Sequence, residues 1–215
     1  MKRFAVLVLA ALTVPAVSAC RTVPGQQDSP IVQPGAPGDS TRVIDAARAA
    51  AMPRPTFNSA DVTFMQGMIG HHTQAVEMVE LLKVRSTDDG LRKLAQRIEV
   101  SQVDEIKWMR QWLEDRRQEV PGPHAMHVHD ATLMPGMLSA DEMQKLGAAK
   151  GAEFDRLFLS GMIKHHGGAL VMVRDLFASP GAGQETEVYA FASDVDADQR
   201  MEINRMAVML KERQK

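Results

Sequence analysis

Two stretches of the chain, ninety-four positions apart, are closely similar. Residues 61–82 read DVTFMQGMIGHHTQAVEMVELL and residues 155–176 read DRLFLSGMIKHHGGALVMVRDL, with eleven of twenty-two positions identical. Unrelated segments agree at only roughly one position in twenty, so the similarity indicates an internal duplication. Packing can make apolar positions recur, but it does not require two adjacent imidazoles. The repeated Met-x-x-His-His therefore indicates a shared chemical role as well as a shared fold.

A weaker similarity follows each copy at an offset of ninety-seven positions. The larger offset implies a few additional residues in the second inter-helix loop, so each half is predicted to be a helical hairpin. Gln102 and Glu105 stand out because they are polar residues on an otherwise apolar stripe. The recurring residues are Ala95, Gln102, Glu105, Ile106, Met109 and Leu113 in the first half and Ala192, Gln199, Glu202, Ile203, Met206 and Leu210 in the second.

Apolar residues recur with helical spacing in both halves. Steps of four, three, four, three and four residues place one stripe on a single face of an amphipathic helix, and no region shows sustained strand alternation. Repeat 1 is expected over residues 58–117 and repeat 2 over residues 139–213. Four long helices with short loops inside each half predict an all-α fold, an antiparallel four-helix bundle. The stripe of the first copy consists of Phe64, Met68, His71, Ala75, Met78 and Leu82.

Capping residues indicate where these helices begin. Asn58 or Ser59 can cap the first helix, and residues 86–88 can open the second. Ser139 and Glu142 match a capping box at the start of the second half, where a short helix is expected to reach about Ala149.

The amino-terminal residues have the pattern of a bacterial export signal. Lys2 and Arg3 precede an apolar run, residues 4–14, that is too short to span a bilayer. Residues 17–20 read VSAC and resemble a lipobox. Residues 1–19 are therefore expected to be a lipoprotein signal peptide, with Cys20 as the lipidated residue. The alternative is an ordinary signal followed by an incidental cysteine.

The segment after the signal, residues 20–57, is rich in proline and glycine and is predicted to be a flexible linker. Within it, residues 41–51 could form a transient helix. The chain is thus expected to be exported and held at a membrane by its lipid, facing the periplasm or the cell exterior. Arg21 stands where, by resemblance to lipoprotein sorting rules, an aspartate would retain the protein in an inner membrane. The outer membrane is expected if the cell has one.

Composition excludes several functional classes. Cys20 is the single cysteine, so the mature chain has no free thiol for a disulfide, a cysteine zinc site or a cysteine nucleophile. Lysine and arginine number 25 against 27 acidic residues, a net charge of −2, which offers no basic field for nucleic acid. The oligomeric state is left open by the sequence.

The two histidine helices predict metal sites built from sulfur and imidazole. Each methionine precedes its histidine pair by one helical turn, and a glutamate and a methionine one turn apart lie on the partner helix. Thioethers favour Cu(I), and imidazole binds Cu(I), Cu(II) and zinc, so copper is the expected ion. The candidate ligands are Met68, His71, His72, Met78, Glu105 and Met109 in the first half and Met162, His165, His166, Met172, Glu202 and Met206 in the second.

Alternative interpretations of these residues remain open at this point. Either histidine of each pair could be the ligand, although His72 is turned about 100° from the stripe toward a neighbouring helix. Methionines also fill helical cores without binding anything. Glu105 and Glu202 could orient the imidazoles by hydrogen bonding and need not bind the ion themselves.

The linker between the halves, residues 118–138, also has a metal-binding composition. It contains three of the seven histidines within six residues and ends in Met134-Pro135-Gly136-Met137. A short tract rich in histidine and methionine suits ion capture without a packed core. The candidate residues in this tract are His124, Met126, His127 and His129.

The double-histidine helix, its copy and the Met-Pro-Gly-Met linker together resemble the bacterial domain of unknown function 305 family. The resemblance covers about residues 58–212. It implies an exported, ferritin-like four-helix bundle, and some members are described as periplasmic copper-binding proteins involved in copper tolerance. The ligands that the resemblance implies are Met68, His71, His72 and Met78 with Met162, His165, His166 and Met172.

The sequence is compatible with three functions. The leading hypothesis is a lipid-anchored protein, not an enzyme, that binds copper for sequestration, tolerance or handover. The second is an envelope interaction or structural domain whose histidines are merely hydrogen-bonded. The third is a ferritin-like di-iron oxidase, which would need four carboxylates and two Glu-x-x-His pairs. Met68 and Met162 stand three residues before the stripe histidines, where such an oxidase would have glutamate.

Overall fold

The computed structural model describes residues 30–33, 40–52, 54–122 and 133–213. It divides into two compact units, Met1–Pro53 and Arg54–Lys215. The predicted signal peptide and Cys20 lie outside the described residues. So do the linker residues His124, Met126, His127 and His129.

The first unit contains regular structure within the segment expected to be an irregular linker. Strand β1, Ile31–Gln33, pairs antiparallel with β2, Arg42–Ile44, and helix α1, Ala46–Ala50, follows. The expected helix over residues 41–51 is thus shorter, and its first part is a strand. Branched side chains account for the difference, because isoleucine and valine favour extended pairing.

The described residues of the second unit form four long helices and one short one. Helix α2 is Ser59–Arg85, α3 is Asp89–Asp115, α4 is Ala140–Ala148, α5 is Gly151–Ala178 and α6 is Thr186–Glu212. Asn58 caps α2 in a capping box with Asp61, and Ser139 caps α4 in the predicted box with Glu142. These caps satisfy backbone N–H groups that the first turn of a helix leaves without partners.

The long helices form the predicted four-helix bundle. Helix α2 packs against α3, α5 packs against α6, and the two histidine helices pack against each other. The last contact is antiparallel, because Gly67 on α2 lies beside Met172 and Gly161 on α5 lies beside Met78. Within the described ranges, no helix combines the length and the apolar character needed to cross a bilayer.

The bundle core consists of two apolar clusters separated along the helices by polar residues. One cluster contains Phe154, Phe158 and Met162, and the other contains Phe64 and Met68. On every long helix, the chain passes from one cluster to the other through a pair of polar residues. We call these eight residues the polar layer: His71, His72, Gln102, Glu105, His165, His166, Gln199 and Glu202.

Asp61 connects the start of α2 to the loop between α5 and α6. Its carboxylate accepts from the backbone N–H of Asn58 at 2.8 Å and from that of Gly183 at 2.6 Å. The equivalent residue of the second repeat, Asp155, is also buried, but its Oδ1 has no hydrogen-bond partner. The duplicated aspartates therefore differ in what they stabilise.

Asp61→Ala is expected to lower the free energy of unfolding by about 1–3 kcal/mol, because it leaves the buried N–H of Gly183 without an acceptor. Asp155→Ala is the matched control and is expected to cost less. Urea denaturation of both variants measures the difference. Equal losses would contradict the distinct role assigned to Asp61.

Candidate metal centre

His71 and His165 meet at the contact between the two repeat helices. Their ring centroids are 3.8 Å apart, and both side chains are fully buried. The Nε2–H of His165 donates to the backbone carbonyl of His71 at 2.9 Å, and the Nε2–H of His71 donates to the carbonyl of Pro135 at 3.0 Å. Because a carbonyl can only accept, both bonds place the proton on Nε2.

The second histidine of each pair turns toward the partner helix of its own hairpin. His72 Nε2 donates to Glu105 Oε2 at 2.5 Å, and His166 Nε2 donates to Glu202 Oε2 at 2.6 Å. Each histidine is fully buried, whereas each glutamate side chain is 20% exposed. The two carboxylates therefore form the solvent-accessible edge of the polar layer.

All four imidazoles share one property: their Nδ1 atoms are buried and have no hydrogen-bond partner. A buried polar atom without a partner costs about 1–3 kcal/mol, and native structures rarely leave several together. In each ring Nε2 is occupied by an oxygen acceptor, so Nδ1 is the atom left for a ligand. This is the arrangement of metal-binding histidines, whose second ring nitrogen donates to a carboxylate or a carbonyl.

Electrostatics keep the central pair uncharged. Burial, followed by the charge of His72, lowers the pKa of His71 to about 3 against the opposing effect of its bond to Pro135. Burial and the charges of the neighbouring histidines likewise lower the pKa of His165 well below its ordinary value. Neutral imidazole is the form that binds metal ions, so the fold holds both rings ready for coordination.

The carboxylates at the edge of the layer respond to one another as well as to the histidines. Burial would raise the pKa of Glu105, but the hydrogen bonds from His72 and Ser101 and the charge of His72 lower it overall. Burial together with the negative charges of Glu105 and Glu202 raises the pKa of Asp198. Negative charge is therefore concentrated where the layer meets solvent.

Two buried glutamines complete the layer. Gln102 and Gln199 occupy equivalent positions one turn before Glu105 and Glu202, and both are at most 3% exposed. The Oε1 atom of each has no hydrogen-bond partner, and neither does Nε2 of Gln199. The polar layer thus contains amide oxygen atoms without partners beside its imidazole nitrogens.

A segment of the inter-repeat linker packs across the repeat helices, and we call residues 134–138 the strap. Its Leu138 backbone exchanges two hydrogen bonds with the Gln74 side chain, at 2.7 and 2.9 Å. Gly136 has a φ of 75°, and a Cβ there would come within 2.5 Å of the Lys164 carbonyl. A Cβ on Gly168 would overlap the carbonyl of Pro135. Glycine at both positions lets the strap reach His71.

Most of the predicted methionine ligands lie in the apolar clusters. Met68 and Met109 belong to one cluster and Met78, Met162 and Met206 to the other, and all five are fully buried. Met172 is partly buried against the first of these clusters. The structure therefore gives these methionines a packing role whether or not their sulfur atoms also bind an ion.

The structure brings together the four histidines and places one glutamate beside each outer ring. Among the described residues, no three side chains of the His, Cys, Asp or Glu type stand close enough to surround one ion. Binding at the layer therefore requires thioether donors or a rotation of the rings. Sequence reasoning missed Ser101, which donates to Glu105 at 2.8 Å, and Asp198, its equivalent in the second half. Their spacing four residues before each glutamate was the available signal.

Acidification is expected to destabilise the fold through the central histidines. The unfolded pKa of a histidine is near 6.5 and the folded pKa of His71 is about 3, so the unfolded chain binds more protons between those values. The free energy of unfolding therefore has its full value above pH 6.5. As the pH is lowered below 6.5, it falls by about 1.4 kcal/mol per pH unit for each such histidine. Urea denaturation in a metal chelator between pH 6.5 and 5 measures the slope.

His71→Gln and His165→Gln are each expected to reduce that slope by the contribution of one proton. A slope that stays the same in both variants would show that other groups carry the pH dependence.

Comparison with known proteins places this bundle among similar structures. Residues 61–210 match the family model described as domain of unknown function DUF305. A putative secreted DUF305 protein from Streptomyces coelicolor is 32% identical, over 72% of this chain and 94% of that chain, with a TM-score of 0.61. A DUF305 fragment from Deinococcus radiodurans is 29% identical, over 74% of this chain and 99% of that chain, with a TM-score of 0.63.

A third similar protein, CopM, has been solved with metal. Its Cu(II)-bound form is 28% identical, over 71% of this chain and 96% of that chain, with a TM-score of 0.59. Its Cu(I)-bound and Ag-bound forms are each 27% identical over the same shares, with TM-scores of 0.56 and 0.55. No protein of curated function matches the chain. The family model spans well over half of the length of this chain, and the chain therefore belongs to the DUF305 family.

Proposed function

We propose that this protein binds copper at the polar layer and acts as a metal-binding protein rather than an enzyme. The observation that carries the proposal is the set of four buried Nδ1 atoms without partners. A bound ion would accept their lone pairs and remove the cost of leaving them unpaired.

The chemistry of the available donors favours copper over harder ions. Imidazole and thioether bind Cu(I), and imidazole also binds Cu(II), whereas calcium and magnesium require several oxygen ligands. CopM, which shares the fold, has been solved with Cu(II), Cu(I) and silver bound. Silver and Cu(I) are both soft monovalent ions, so these forms fit a site of this donor type.

The two glutamates have a positioning role in this proposal. Each orients one imidazole by accepting a hydrogen bond from its Nε2–H, and this bond makes Nδ1 a stronger ligand. Their exposed edge, with Asp198 beside it, attracts cations to the side of the layer where these carboxylates are partly open to solvent. Copper would enter there and pass to the histidines.

The proposed setting is outside the cytoplasm, on a lipid attached at Cys20. The charged and apolar leader motivates this part, and the similarity to a putative secreted protein supports export. Imidazole and thioether ligands suit such a compartment, because they bind metal without a thiol that would be converted to a disulfide. The protein would sequester the ion there or hand it on.

Replacing the histidines in pairs tests the copper sites. His71→Gln with His165→Gln, and separately His72→Gln with His166→Gln, are expected to abolish the tightest copper binding while leaving the helical content unchanged. Calorimetric titration with Cu(II), and with Cu(I) under reducing conditions, measures stoichiometry and affinity. Unchanged binding in both double variants would refute copper binding at the polar layer.

Glu105→Gln is expected to weaken copper binding by about 10- to 100-fold without changing its stoichiometry, because the amide is a weaker orienting acceptor for His72. Glu202→Gln should act alike on His166. Glu99→Gln is the matched control on the same helix, since that side chain pairs with Lys83 at 2.6 Å instead. Equal effects of the Glu99 and Glu105 variants would argue against a positioning role.

A further inference from the structure

The strap brings a methionine to the surface of the bundle at a defined place. Met134 lies immediately before Pro135, whose carbonyl accepts from His71, and is four residues from Leu138, which is held by Gln74. Between these two residues, Gly136 packs against Gly168 of α5. The backbone that carries Met134 is therefore fixed by contacts to both repeat helices.

The side chain of Met134 lies against Gly67, where it meets a second methionine. Its Sδ is 3.2 Å from the position that a Cβ on Gly67 would occupy, and the methyl carbon of Met172 is 3.4 Å from the same position. Both methionines are only partly buried. Two methionine side chains thus meet at one notch in α2, one through its sulfur and the other through its methyl carbon, and neither residue is fully buried.

The equivalent notch in the second repeat is built differently. The Cβ position of Gly161 is 3.2 Å from the methyl carbon of Met78 and 3.1 Å from a methyl carbon of Leu138. Both of those side chains are buried. A methionine and a leucine thus fill this notch, so filling it does not require two methionines. The exposed notch is contacted by two methionine side chains, where the buried one is contacted by a methionine and a leucine.

We propose that Met134 and Met172 form a separate surface site for a soft monovalent metal ion, Cu(I) or its analogue Ag(I). Thioethers prefer such ions to harder ones, and two methionine side chains packed against one notch have already lost much of the freedom that binding would remove. The site shares with the proposed function the choice of a soft metal, and it uses none of the four histidines. It would hold an ion at the surface before or besides the polar layer.

Silver titration of the mature chain tests this site, with stoichiometry from native mass spectrometry and site assignment from methionine methyl resonances. Met134→Leu and Met172→Leu are each expected to remove one silver equivalent or weaken its binding by about ten-fold or more. The matched control is Met201→Leu, an exposed methionine on α6 that is 62% exposed and should leave the titration unchanged.

Two adjacent glycines on α5 provide a second test that leaves every sulfur in place. Gly168→Ala is expected to displace the strap and cause the same loss, because its Cβ would overlap the Pro135 carbonyl. A Cβ added at Gly167 would have nothing within 4 Å, so the Gly167→Ala variant is expected to bind silver as the unchanged chain does.

A variant with all four repeat histidines changed to glutamine separates this site from the polar layer. Retention of one silver equivalent that shifts the methyl resonances of Met134 and Met172 supports the surface site even if copper binding at the histidines fails. Silver binding that leaves both methyl resonances unshifted, or is unaffected by both leucine variants, would overturn it.

Discussion

The structure depends on how four imidazoles are accommodated between two apolar clusters. A buried histidine must stay neutral or be paired, because burying an unpaired charge costs far more than the fold can recover elsewhere. Here each ring gives its Nε2–H to an oxygen: a backbone carbonyl for His71 and His165, a carboxylate for His72 and His166. That choice satisfies one nitrogen per ring and leaves the other without a partner. The metal-binding proposal follows from these four Nδ1 atoms without partners.

The duplication makes the layer nearly symmetric, and the strap breaks the symmetry. His165 donates to the carbonyl of His71, but His71 donates to the strap at Pro135. Residues at equivalent positions of the two repeats hold the strap in place. Gln74 on α2 holds the strap by its side chain, and Gly168, ninety-four residues later, leaves room for it on α5. One repeat provides the hydrogen bonds and the other provides the space.

Much of the fold was predictable because its signals are local or repeated. The 3.6-residue period predicted the helices, the duplication predicted two hairpins, and Asn58 and Ser139 predicted where helices begin. The short strands at residues 31–33 and 42–44 were not predicted, since three-residue strands lack sustained alternation. Those elements depend on pairing between segments that carry no mark of it in sequence.

The site was only partly predictable for the same reason. Helical spacing identified the histidines, but it left open whether Glu105 would orient His72 or bind an ion, and the hydrogen bond between them favours orientation. Docking of the strap depends on contacts between residues more than twenty positions apart, which helical periodicity does not reveal. Gly168, inside a long helix, was the residue in the sequence that indicated this close approach.

The most direct measurement is the nitrogen-15 spectrum of the imidazole side chains, recorded without metal and after addition of one to two equivalents of Ag(I). We expect Nε2 of His71 and His165 to carry the proton in the metal-free protein. We also expect silver to shift the Nδ1 resonances of the repeat histidines while the Nε2 protons remain. Protons found on Nδ1 of the central pair, or silver binding that leaves every Nδ1 resonance in place, would contradict metal binding at the polar layer.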